Sequence, residues 1–254
     1  MRKRQKFVLT ALLLSIGIAG IQFVPLEWRY ALIALLTIST WLLSAWSLKE
    51  GLSGVEWLTV LLPMTVFTAG VGFFFILLPA HWIAKTLIVV LFGVGQYALL
   101  LTSNIFSVAV IRTIALLRAA QAVGFVMTLL TGFLAYDTIL SFRQGFWINA
   151  PFVAIASFLL MLPALWTVKL EERITKQLWG FAIVASIMQA LLSVSISFWP
   201  ISLAVASLFL TTMLYVYLGI TQHYFSERLF KRTAWEYITV GLVVLVTMLV
   251  TSGS

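Results

Sequence analysis

Cysteine is missing from all 254 residues, which excludes disulfides, thiolate metal sites, iron–sulfur clusters and cysteine nucleophiles. Charge is nearly as scarce, at 9% of residues against about 25% in soluble domains. Histidine occurs only at His81 and His223, on opposite sides of the predicted topology and without a second ligand at metal-binding spacing. The eight acidic residues form no cluster of the kind that holds Mg²⁺ beside a phosphate-bearing substrate. Neither a phosphate loop nor HExxH nor GxSxG occurs. The longest predicted loop falls far short of the roughly 50 residues of a small soluble domain. On this reading the chain is not an enzyme, and it has no catalytic, cofactor-binding or metal-binding residues.

What the chain has instead is apolar length. Apolar residues make up 62% of it, above the roughly 45–50% of soluble domains. They come in runs of about 17–24 residues, enough to cross a hydrocarbon layer of roughly 30 Å. The runs are continuous rather than alternating, and about twice the length of a tilted barrel strand, so helices are predicted. The expected fold is an all-α polytopic transmembrane bundle, a single membrane domain over 1–254 with about nine spans. These lie near 7–24, 30–48, 56–79, 82–102, 119–142, 151–168, 177–198, 200–220 and 235–251, with a surface segment at 103–118. The basic start Arg2 to Lys6 is one that a secretory signal shares, but the apolar run continues to Val24, beyond a usual signal core.

A net charge of +8 would suggest nucleic acid in a soluble protein, yet no loop is long enough for a recognition module. The cations sit between apolar runs, where they act on topology. With the N-terminus cytoplasmic, that side holds Arg2, Lys3, Arg4, Lys6, Lys49, Arg112, Arg118, Lys169, Arg173, Lys176, Arg228, Lys231 and Arg232. The other side holds Arg29, Lys85 and Arg143, so the count is thirteen against three. The C-terminus is then outside. By analogy with other small helical membrane proteins, the membrane is read as a bacterial cytoplasmic one. Anionic lipid headgroups are the partners expected for the inner cations, Arg112 and Arg118 in particular. Nine of the ten tryptophans fall near span ends, the headgroup level that suits an amphipathic ring. Pro25, Pro79, Pro151 and Pro200 mark outer boundaries, while Pro63 and Pro163 lie within spans and are expected to bend them.

Polar residues inside the spans are the remaining signal. Lys85, Gln96, Asp137 and Gln189 form the candidate intramembrane polar site, with Gln121 and Asn104 nearer the inner surface. Amides in spans usually bridge neighbouring helices, whereas an intramembrane carboxylate is a functional candidate by default. Lys85 and Asp137 lie at similar depths on consecutive spans, which predicts an ion pair. The pairs Gly70/Gly72 and Gly93/Gly95 read as sites of close helix approach, with discontinuous helices around a transporter cavity as the sharper alternative. Gly51-Leu52-Ser53-Gly54 resembles the GxSG of rhomboid intramembrane proteases over four residues; its place in a short loop beside Lys49 and Glu50 reads it as a turn.

Three functions fit these features. A non-enzymatic scaffold or assembly protein needs only packing and topology and is the first reading. A small permease needs a polar path near Lys85, Asp137 and Gln96. A membrane-embedded enzyme acting on a lipid-linked substrate needs convergent acidic or histidine groups, which the scattered charges do not supply.

Overall fold

The structure is a computed structural model that describes residues 3–79, 81–110, 115–171 and 173–252. Among the described residues it is helical, with no strand. The helices are α1 (Lys3–Gly20), α2 (Leu26–Leu48), α3 (Glu56–Thr59), α4 (Leu62–Leu77), α5 (Trp82–Ala109), α6 (Leu117–Ser141), α7 (Phe146–Lys169), α8 (Lys176–Ser197), α9 (Leu203–Phe225) and α10 (Lys231–Ser252). Among the described residues nine segments are long and apolar enough to cross a membrane, with α3 and α4 together making the third, Glu56–Leu77. Helices answer the chemistry of these sequences, because a span in hydrocarbon has to satisfy its backbone N–H and C=O groups within itself.

Several boundaries differ from those expected. Helix α5 runs past 102 to Ala109, so the first part of the predicted surface segment continues the span. Ser103, Phe106 and Ser107 are buried there, and Ser103 Oγ donates to the Val60 carbonyl at 3.3 Å. Pro63 does not bend a helix but starts one. The third span breaks after Thr59 and α4 begins at Leu62, with Pro63 in its first turn, where a missing N–H costs nothing. Conversely, Pro151 lies inside α7, which opens at Phe146 rather than at the proline. Trp166 is 1% exposed, a core residue and not the interfacial anchor its position suggested.

The chain folds as two compact units, Met1–Met127 with Leu170–Arg173, and Thr128–Lys169 with Ile174–Ser254. In the first, α1 packs on α2 and α5, and α4 packs on α2 and α5, a ring of four helices. Glycines allow close approach within it: a Cβ on Gly72 would stand 3.1 Å from Ile33, and one on Gly95 would stand 2.8 Å from Phe67 Cζ. Both lie in unbroken helices, so packing accounts for them. Thr10 and Ser47 join α1 to α2 by a 2.8 Å hydroxyl bond, and Thr40 donates to Thr68 at 3.0 Å between α2 and α4.

In the second unit α7 and α8 pack along each other, α9 packs on both, and α10 packs on α9. The C-terminal half of α6 joins them where Tyr136 and Ser157 share a 2.8 Å hydrogen bond with α7. Gly132 admits Leu214 of α9, which would lie 2.8 Å from a Cβ there.

Candidate functional site

The Gly51–Gly54 loop is a turn that caps the helix following it. Gly54 has φ 50°, the left-handed conformation that glycine adopts without strain. The Ser53 amide donates to Glu56 at 3.1 Å and its hydroxyl at 3.3 Å, while the Glu56 amide donates to the Ser53 carbonyl at 3.0 Å. A carboxylate reaching back three residues to the chain before a helix is a capping arrangement, and it explains why Glu56 is buried. His81 is exposed just before α5, and the His223 ring is 2.9 Å from the Gly219 carbonyl and beside Tyr237. Among the described residues no group of three His, Cys, Asp or Glu is placed to hold a metal ion.

The four residues of the candidate polar site divide between the units. Lys85 and Gln96 belong to the first, and Asp137 and Gln189 to the second. Lys85 Nζ lies 5.6 Å from the centre of the Phe75 ring, a cation–π contact. Asp137 receives its hydrogen bond from Ser207 Oγ at 3.0 Å. Each charged group has this contact inside its own unit. Of the two predicted headgroup contacts, Arg118 is exposed in the first turn of α6, and Arg112 lies outside the described residues.

The amides behave differently from each other. Gln96 is fully buried, and neither its oxygen nor its nitrogen has a hydrogen-bond partner among the described residues. Its helix neighbours Phe92, Leu99 and Leu100 are buried and apolar. Gln189 bridges helices as a membrane amide should, with Nε2 donating to the Leu210 carbonyl of α9 at 3.1 Å. A carbonyl can only accept, so this bond fixes which end of the amide is nitrogen. Gln189 Oε1 is the end left buried without a partner among the described residues.

The second unit holds further polar side chains on α8 and α9. Leu210 and Ser207 are three apart on α9, hence on one face, and α8 runs antiparallel to α9 across the short connection 198–202. Ser193, one turn beyond Gln189, therefore comes to about the level of Ser207. Its hydroxyl, like that of Thr138 beside Asp137, is buried and without a hydrogen-bond partner among the described residues. Ser207 itself is fully buried. The sequence reading missed Ser207, Ser193 and Thr138 because hydroxyls in helices ordinarily bond to their own backbone. The available signal was depth: Ser207 lies as far into its span as Asp137 does into its own.

A family model for proteins of unknown function matches residues 9–251. No curated protein and no solved structure matches the chain. Since that match takes in all nine apolar segments but the start of the first, the chain belongs to the DUF5656 family, proteins of unknown function.

Proposed function

We propose that this chain is a small permease-type protein of a bacterial cytoplasmic membrane, without catalytic machinery, in which the second unit holds a small cationic solute at the Asp137–Ser207 pair. One observation carries the reading. A scaffold explains intramembrane amides and hydroxyls by the hydrogen bonds they make between helices, yet Gln189 Oε1, Ser193 Oγ and Thr138 Oγ1 are buried in that unit with no hydrogen-bond partner among the described residues. Buried oxygens without hydrogen-bond partners are costly to keep, and a transient occupant accounts for their retention.

The orientation that goes with this reading is N-terminus cytoplasmic and C-terminus outside, supported by the distribution of Lys and Arg. Anionic headgroups would then meet Arg118 and the other inner cations. Reconstitution tests the function. Purified protein in liposomes should carry monovalent cations, followed by a trapped fluorescent indicator, and Asp137→Asn should reduce that flux at least about tenfold, the usual scale for losing a buried charge-assisted contact. Wild-type liposomes no leakier than empty ones would return the chain to the scaffold reading.

A further inference from the structure

We propose that α10 is an exchangeable helix: the face of α9 that it covers also takes α10 of a second copy, giving a dimer in which each chain lends this helix to the other. The exchange is independent of solute transport and involves only elements of the second unit.

Helix α10 is the least buried of the nine spans and packs on α9, so little contact has to break to release it. Its seam is nonetheless specific. Gly219 of α9 receives the Tyr237 ring, whose centre also stands 5.0 Å from that of Tyr215 and 5.6 Å from that of His223. Further along, a Cβ on Gly241 would meet Val216 Cγ2 at 3.1 Å. A second copy brings an identical helix, so all of these contacts are regained on exchange, and a swap costs little once the hinge is open.

The hinge supplies the drive. It runs from Ser226 to Phe230, all exposed. Helix α9 ends in a Schellman motif, in which the Glu227 amide donates to the Tyr224 carbonyl at 3.1 Å and the Arg228 amide to the His223 carbonyl at 2.9 Å. That motif holds one residue in the left-handed region, where glycine is the usual occupant, and here the residue is Glu227, at φ 56°. A side chain disfavours this conformation by roughly five- to thirtyfold. Opening the hinge into an extended connection relieves the strain in both chains, and short strained hinges are the ones that swap. Five extended residues reach about 17 Å, beyond the roughly 8–10 Å between packed helix axes, so the chain spans from its own α9 to the α9 of a neighbouring copy. Leu170, at φ 50° after α7, is strained likewise, but the helix that follows it, α8, is held by both α7 and α9 and is not free to leave.

Oxidation of a Val216→Cys/Gly241→Cys protein in lipid bilayers reads the exchange, because the same disulfide closes either within one chain or between two. A non-reducing gel should show a covalent dimer that neither single variant gives, in a fraction that rises with the protein-to-lipid ratio. Glu227→Gly should lower that fraction at least about fivefold. Glu227→Val should raise it, since a β-branched residue is still less at ease in the left-handed region. Disulfide confined to monomers at every ratio, or a dimer fraction indifferent to residue 227, overturns the exchange. Should the cysteine pair disturb folding, the Glu227 variants of the otherwise unchanged chain carry the test, through the dimer fraction measured by sedimentation in mild detergent. There too, a fraction that is the same with glycine, glutamate and valine overturns it.

Discussion

At the scale of single residues, a buried amide is judged by the partners it finds. Gln96 and Gln189 occupy similar central positions in their spans and look equivalent in sequence, but one has no hydrogen-bond partner among the described residues and the other holds the Leu210 carbonyl. Leaving a buried polar group unsatisfied costs about 1–3 kcal/mol, while an interhelical bond in a membrane is worth about 0.6 kcal/mol on average. Replacement by methionine, of nearly the same length and flexible enough to fill the space, should therefore have opposite signs. Gln96→Met is expected to raise stability by about 1 kcal/mol and Gln189→Met to lower it by a similar amount, read from denaturation in mixed micelles. A loss on replacing Gln96 would mean that its amide is engaged after all.

Among elements, α10 has the least buried span of the nine and is held through its packing on α9. Two glycines make that packing possible. Gly219 lies against the Tyr237 ring, and a Cβ on Gly241 would stand 3.1 Å from Val216 Cγ2. Because the chain has no cysteine, the contact can be measured by cross-linking. A Val216→Cys/Gly241→Cys pair is near enough for a disulfide and should oxidise readily. Adding Gly219→Leu should drive the two helices apart and reduce that yield severalfold, in line with the roughly 1–3 kcal/mol cost of overpacking. Gly180 faces open space, so Gly180→Ala serves as the control. An unchanged yield in the Gly219→Leu protein would show that α10 is held by something other than this seam.

For the whole molecule the prediction concerns orientation. Asn149 lies in the first turn of α7, 6% exposed and donating to the Gln144 carbonyl at 2.9 Å, so a probe there would report burial instead of sidedness. Gln144, in the connection before α7, and Lys231, at the start of α10, are exposed and of opposite predicted sidedness. Cysteine at 144 should react with an impermeant maleimide in intact cells, and cysteine at 231 only after permeabilisation. The reverse pattern would invert the orientation, and equal reaction at both would break the alternation of spans.

The sequence by itself determined the helical class and the number of segments long and apolar enough to cross a membrane, because hydrocarbon thickness and backbone hydrogen bonding leave a long apolar run few alternatives. It also placed most proline boundaries and identified Asp137 and Gln189 as unusual, since a polar group in an apolar run stands out without any knowledge of its neighbours. Partners were another matter. Pairing Lys85 with Asp137 rested on equal depth, and depth says nothing about which face of a helix meets which neighbour; within their units Lys85 meets the Phe75 ring and Asp137 the Ser207 hydroxyl. Only the tertiary structure made Trp166 a core residue, turned Pro63 into a helix start and set three acceptors around one serine hydroxyl. Those outcomes depend on rotation about helix axes, which small-residue contacts decide at a resolution that hydropathy along the chain does not carry.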